Sequence, residues 1–246
     1  MPDRREIAGF PVCNTTTPVF TRFLNRRLRR RQQTTLVFAN ANLITRCGHL
    51  RDAIVGDPAT FILNDGIALD AANWLKFRSR FRENMNGTDF TPAFLKSLRQ
   101  PARVFLVGGA ADVVVKVARI IGGFPFVEVA GTADGYTMWQ DEDGLARRIV
   151  DAKPDIVLVA LGNPLQEEWI LRHKARFEGC LMIGVGALFN FMAGTQPRAP
   201  ALVRKLKLEW AHRLALEPRR LIGRYTIGMA RFFAMTLLYD RQRRTS

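Results

Sequence analysis

Residues 155–167 read DIVLVALGNPLQE, and the reading of this stretch decides the fold. Asp155–Leu161 is a short apolar, β-branched run without helical period, the mark of a strand covered on both faces. Gly162-Asn163-Pro164 then breaks the chain, and Leu165–Phe177 resumes with a 3.6-residue repeat. The same alternation runs outward in both directions. Thr35–Ala39 (TLVFA), Thr60–Leu63 (TFIL), Arg103–Val107 (RVFLV), Pro125–Val129 (PFVEV) and Leu181–Val185 (LMIGV) read as further strands, and Ala111–Ile121 reads as a helix between two of them. Strands alternating with helices predict an α/β fold of right-handed crossovers, a mostly parallel sheet with helices on both faces. In such sheets ligands bind at the carboxyl ends of the strands.

The 246 residues carry 37 Lys+Arg against 22 Asp+Glu, a formal charge of +15. Residues 1–31 hold eight Arg against Asp3 and Glu6, and residues 197–246 hold twelve Lys/Arg against Glu209, Glu217 and Asp240, so the span 32–196 is neutral. The expected organisation is therefore a basic N-terminal segment (1–31), a neutral body (32–196) and a basic helical C-terminal appendage (197–246). Whatever anionic partner the protein meets is expected at those two ends.

Three scattered cysteines, Cys13, Cys47 and Cys180, make neither a disulfide framework nor a CxxC site, which points to a reducing cytoplasm. His49, His173 and His212 share no metal-ligand spacing, and no Asp-x-Asp pair follows a strand; no metal and no bound cofactor are expected. The start MPDRRE lacks the apolar core of a signal peptide. No run of about 18 uncharged apolar residues is present to span a bilayer.

The strand ends carry the chemistry. Asn64-Asp65-Gly66 follows the second strand, Gly108-Gly109 the third, GNPLQEEW (162–169) the fifth and Gly184-Val185-Gly186 the sixth. Asp65 has two readings, an N-cap for the helix starting near Ile67 or a general base aimed into the crevice. Gly108-Gly109 lets backbone approach a phosphate beside a helix N-terminus, although the GxGxxG dinucleotide pattern is absent. In GNPLQEEW, Asn163 as N-cap, Pro164 at the first helical position and Gln166 reaching back form a capping box. The same geometry leaves Gln166 and Glu167 beside the crevice, open to a sugar or pyrophosphate.

In the tail, Leu206, Trp210 and Leu214 share one helical face, and Glu217-Pro218 divides two helices. Arg213, Arg220 and Arg224 converge if the helix resumes past Pro218. Tyr225–Tyr239 (YTIGMARFFAMTLLY) reads equally as a helix lying in an anionic membrane surface or as a buried terminal helix.

LNDGIALD (63–70), NGTDFTPAFL (86–95), FLVGG (105–109), ALGNPLQEEWI (160–170), GVGALFNFMAGTQPRAP (184–200) and EWAHRLALEPRRLIGRY (209–225) together resemble the WecG/TagA/CpsF glycosyltransferases, over about Val37 to Tyr225. The resemblance implies a Rossmann-like fold and an inverting, metal-independent transfer from a UDP-sugar to an undecaprenyl-diphosphate-linked glycan. It also implies peripheral attachment to the cytoplasmic face of the membrane through the appendage. By motif position it puts the base on Asp65, a substrate-contacting Asn on Asn40 and a glutamine contact on Gln166. Arg213, Arg220 and Arg224 become the appendage arginines. Asn64, Gly66, Gly108, Gly109, Pro164, Glu167 and Arg198 complete the expected binding set. Three positions depart from the family pattern: Phe38 where Thr is usual, Asn84 where Arg is usual, and Asn190 in place of Asp in the GVG motif. These surround the proposed sugar site. They favour a hexosyl donor of exopolysaccharide synthesis, with an N-acetylmannosaminyl-type transferase of wall polymer or common antigen as the alternative. The sequence leaves room for a homo-oligomer. Two rivals from other classes are a nucleic-acid-binding protein, motivated by the charge, and a nucleotide-dependent oxidoreductase, disfavoured by the missing GxGxxG.

Overall fold

A computed structural model describes residues 3–197, 199–200, 203 and 209–244. Eight strands form one sheet in the order β1-β2-β4-β3-β8-β7-β5-β6. They are β1 (Asp3–Ile7), β2 (Phe10–Asn14), β3 (Thr34–Ala39), β4 (Thr60–Asn64), β5 (Ala102–Gly108), β6 (Val127–Ala133), β7 (Ile156–Ala160) and β8 (Leu181–Gly184). Only β1 and β2 pair antiparallel; every other neighbouring pair is parallel. The predicted α/β architecture with a mostly parallel sheet is the one observed.

Helices cover both faces. On one lie α1 (Thr17–Arg29), α5 (Gly87–Lys96), α6 (Ala111–Gly122) and α9 (Leu188–Ala193), which bury Phe20, Leu24, Phe90, Phe94, Val117 and Phe189 against the sheet. On the other lie α2 (Ala41–Arg46), α3 (Arg51–Val55), α4 (Ile67–Phe77), α7 (Glu142–Ala152) and α8 (Leu165–His173). After residue 208 come α10 (Glu209–Leu216), α11 (Pro218–Tyr225) and α12 (Ile227–Arg244). Pro218 opens α11, so the predicted break at Glu217-Pro218 is real, and a further break follows at Thr226.

Two expectations are corrected, and of the two readings left open for Tyr225–Tyr239 the docked helix is the one observed. Residues 3–31 are no separate basic segment. DRREI and FPVCN form a hairpin, β2 joins β4 in parallel register, and α1 packs a Phe20/Leu24/Leu28 stripe into the core. The strand placed at 125–129 lies at 127–133. Phe126 holds φ at 61° in a tight turn closed by Val127 N–H on Phe124 O, and only then does the chain extend along the edge of the sheet. The stretch 225–239 docks on the body: Phe232 is fully buried among Leu43, Ile44, Leu69 and Ala72, with Met229, Phe233 and Met235 packed around it.

Candidate functional site

The carboxyl ends of β3, β4, β7 and β8 converge at mid-sheet, and each delivers a polar side chain or a bare backbone turn. Asp65 follows β4. Its N–H donates to Ala39 O at 2.7 Å, which ties the turn to the end of β3. Asp65 does not take the N-cap position expected of it: Gly66 occupies the N-cap of α4. Gly66 sits at φ 95°, with open space where a Cβ would project, so glycine is required there by backbone angle and not by crowding. Its N–H donates to Asn84 Oδ1 at 2.9 Å. Asn84, one of the departures from the family pattern, thus holds the turn beside Asp65.

Asn40 ends β3 and caps α2: its Oδ1 accepts from Asn42 N–H and Leu43 N–H, both at 3.0 Å. The remaining amide donor, Nδ2, lies 3.2 Å from Asp65 Oδ2. A helix cap and an orienting contact to the acid are therefore combined in one side chain. Asn64 does not belong with them. Strand alternation turns it to the face of Ile62, and it is completely buried with neither side-chain amide atom hydrogen-bonded. Phe38 likewise packs into the opposite core, against Phe90 and over Gly87.

At the end of β7 the expected capping box is absent. Pro164 is the N-cap of α8, and the Gln166 amide is spent on Glu167 and Gly186 instead of on the Asn163 N–H. The group that gathers this loop is Glu167, 2% exposed, whose Oε1 accepts from Asn163 Nδ2 at 2.8 Å and from Gln166 Nε2 at 2.6 Å. Cys47 Sγ lies 3.5 Å from Oε2. Burial pushes the Glu167 carboxyl up, against the pull of these donors and of its own helix N–H. The same burial, reinforced by the carboxylate, pushes the Cys47 thiol far up and leaves it a hydrogen-bond donor without nucleophilic character. Gln166 is also buried, and its Oε1 accepts from Gly186 N–H at 3.0 Å. Gln166 and Glu167 are therefore buried beneath the turns at the carboxyl ends of β7 and β8.

Toward the β5 edge the site becomes backbone. Gly108 has φ 117°, and a Cβ there would come 2.4 Å from Ala160 O, so no other residue fits. Gly109, at φ 71°, accepts from Gly135 N–H at 2.7 Å, which folds the 134–137 loop and the exposed Tyr136 over the glycine pair. The following helix, α6, starts without a side-chain cap, and its first N–H groups are available to an anion. A hollow of about 740 Å³ lies beyond it at the sheet edge, lined by Ala111, Thr132, Asp134, Thr137 and Arg148. A smaller one of about 290 Å³, lined by Thr17, Glu83, Asn84 and Asn86, adjoins the Gly66 turn.

Arg198 lies outside the described residues, as do the side chains of Arg213, Arg220 and Arg224 on α10 and α11. Among the described residues no cluster of His, Cys, Asp and Glu could hold a metal ion, and no helix is long and apolar enough to cross a membrane. Sequence reasoning missed Asn42, whose Nδ2 donates to Asn163 Oδ1 at 3.0 Å, and the bonding role of Asn163; the two are 121 positions apart, and no local pattern announces the contact.

A family model described as "Glycosyl transferase WecG/TagA/CpsF family" matches residues 5–246. Among curated proteins, an N-acetylglucosaminyldiphosphoundecaprenol N-acetyl-beta-D-mannosaminyltransferase of Bacillus subtilis is 36% identical over 66% of this chain and 63% of its own length. The Bacillus spizizenii protein of the same name is 32% identical over 74% of this chain and 70% of its own. That of Staphylococcus aureus NCTC 8325 is 33% identical over 68% and 65%. The aligned region thus spans less than two thirds of the Bacillus subtilis and Staphylococcus aureus relatives.

Proposed function

The chain belongs to the WecG/TagA/CpsF family of glycosyl transferases, and from that premise we propose that it moves a hexosyl group from a UDP-sugar to an undecaprenyl-diphosphate-linked glycan. Asp65 takes the proton of the acceptor hydroxyl as its oxygen bonds to the anomeric carbon. The bond from that carbon to the diphosphate breaks, UDP leaves with the electron pair, and configuration inverts. The observation that carries this reading is that Asp65 stands in the turn at the carboxyl end of β4, one residue ahead of the α4 N-cap, and is oriented by Asn40. The leaving diphosphate is received by the Gly108-Gly109 backbone and the uncapped start of α6, without a metal, and Arg198, Arg213, Arg220 and Arg224 are assigned to the phosphates of donor or acceptor. The relatives' names, which specify a lipid-linked diphosphate acceptor, support the acceptor class. They also favour the second reading of the donor, N-acetylmannosamine; Asn84, the departing position beside the Asp65 turn, favours the first.

Asp65→Asn and Asp65→Ala should lose turnover by about 10²–10⁴-fold with an unchanged melting temperature, the usual worth of a general base. The assay is release of UDP from a panel of UDP-sugars with a short lipid-diphosphate acceptor, run with and without EDTA. Full activity in either variant removes Asp65 from the mechanism, and activity that EDTA abolishes removes metal independence. The acceptor places the enzyme at a membrane surface, and α12 supplies the attachment through its outward row of Ile227, Ala230, Ala234, Leu237 and Leu238, with Arg231 among them.

A further inference from the structure

The hydrogen bonds at the four strand ends form one unbroken chain. Asp65 Oδ2 receives Asn40 Nδ2; Asn40 Oδ1 receives Asn42 N–H; and Asn42 Nδ2 donates to Asn163 Oδ1. Asn163 Nδ2 and Gln166 Nε2 then meet on Glu167 Oε1, and Gln166 Oε1 receives Gly186 N–H. The path crosses from β4 to β3, β7 and β8, joining loops that the sequence separates by more than a hundred residues. Asn40, Asn163 and Gln166 each spend both ends of the amide, one as donor and one as acceptor, whereas Asn42 enters by its backbone N–H and leaves by its Nδ2. Two amide donors, Asn163 Nδ2 and Gln166 Nε2, are received on one atom, Glu167 Oε1, which together with Asn42 Nδ2 and Gly186 N–H fixes which way both amides face.

The geometry points to Glu167 as a positioning residue for the reaction, a buried acceptor that orients Asp65 through Asn163, Asn42 and Asn40 and holds the Gly184-Val185-Gly186 turn through Gln166. At 2% exposure it touches no substrate. What it supplies is acceptor geometry, not charge. Its partners are two amides and a thiol, all neutral, and a glutamine can reproduce them by turning its carbonyl to Asn163 and Gln166 and its NH₂ to the Cys47 sulfur. An alanine leaves the buried Gln166 donor and the partly buried Asn163 donor without an acceptor, and each amide keeps only one of its two hydrogen bonds, to Gly186 N–H and to Asn42 Nδ2. Displacements of about 1 Å at a reacting group cost on the order of 10²-fold in rate.

This inference rests on the proposed transferase reading, and the experiment separates the two. Three variants are compared with the wild type: Glu167→Ala, Glu167→Gln and the partly exposed Asn42→Ala. Two quantities are read, UDP-sugar turnover and hydrogen–deuterium exchange of the Gly186 amide. Glu167→Ala is expected to lower kcat by 10- to 100-fold and to speed exchange at Gly186. Glu167→Gln should regain at least tenfold of the lost kcat and restore protection at Gly186. Asn42→Ala, which cuts the chain on the Asp65 side only, should lower kcat while leaving Gly186 protected. If the wild type turns over no UDP-sugar, the transferase reading fails and the exchange arm still reads the chain. Unchanged Gly186 exchange in Glu167→Ala overturns the proposal, as does a Glu167→Gln variant as impaired as the alanine.

Discussion

The two basic ends of the polypeptide become α1 and α12, and the two helices use their exposed faces in opposite ways. They lie on opposite sides of the sheet, α1 packed on the strands and α12 on α2 and α4. α1 ends near Arg31, paired with Asp155 just ahead of β7, while Tyr239 of α12 lies over Gly9 in the turn ahead of β2. Both therefore run toward the amino edge of the strands, away from the Asp65 cleft. α1 buries Phe20, Leu24 and Leu28 and turns Arg22, Arg26, Arg29 and Arg30 outward. α12 buries Phe232 and Thr236 and turns outward a row that is apolar apart from Arg231, with Ile227 75%, Leu237 59% and Leu238 57% exposed. The expectation that anionic partners meet the protein wherever positive charge accumulates thus treats as equal two surfaces of different chemistry. An arginine row with apolar groups only beneath it is a solvated face; an apolar row with cations beside it suits the headgroup boundary of a membrane.

The largest test of this contrast is in the interior. If α12 is as much part of the body as α1, Phe232→Ala should cost about 3–5 kcal/mol and Leu24→Ala about 2–5 kcal/mol in denaturant unfolding. A Phe232→Ala cost under about 1 kcal/mol would make α12 a detachable appendage and break the comparison. Next comes the exterior. The pair Leu237→Ser and Leu238→Ser removes two side chains worth about 1.5–3 kcal/mol each when fully buried. Cosedimentation with phosphatidylglycerol vesicles should weaken by about 10²-fold, against a far smaller change when Arg22, Arg26 and Arg29 are changed to Gln. Equal losses from the two sets would move lipid contact to both helices. A third, smaller test lies within α1. Arg27 donates to Thr34 Oγ1 and Gln33 O, both at 2.7 Å, and sits 5.2 Å from the centre of the Phe61 ring. Arg27→Ala should cost about 1–2 kcal/mol, while Arg26→Ala, exposed one residue away, should stay within about 0.5 kcal/mol.

What the sequence made legible follows the same line between local and distant causes. β7 and its turn were readable because an apolar run of strand length and a Gly-Asn-Pro breaker are local signals. β1 was not, because DRREI carries four charges in five residues; its pairing is decided by β2 and by Arg5 lying over the Phe77 ring. α12 resisted assignment because apolar residues surround it: half face the core and half face outward, which erases the 3.6-residue contrast. At the site, Asp65, Asn40, Gly66 and the glycine pair could be placed from strand-end position and family motif. The partners of Gln166 and Glu167 could not. A capping box is a local rule, and it lost here to a buried carboxylate that draws Asn163 and Gln166 toward a single oxygen.

Acid should act unequally on the two helices, and this is the finest test of the contrast. Asp57 is half-buried near Arg27 at the foot of α1; burial raises its carboxyl, but Lys174 Nζ at 2.7 Å, Ala59 N–H and the Thr60 hydroxyl outweigh that and hold it below the ordinary value. The folded protein therefore gives up this proton more readily than the unfolded chain, whose Asp titrates near about 3.9. The stability from this group is complete above that unfolded value and drains away as pH falls through the lower folded one. Between Ile227 and Tyr239, by contrast, Arg231 is the one charged residue, and no carboxylate of that stretch titrates. Asp57→Asn should lower the urea midpoint at pH 7 and flatten the fall of that midpoint below about pH 4, while Leu237→Ser should shift the whole curve without changing its slope. An Asp57→Asn curve as steep as wild type would mean that acid acts elsewhere, with Glu142 the next group to examine: burial raises its carboxyl, and hydrogen bonds from His173 and Arg172 bring it below the usual range.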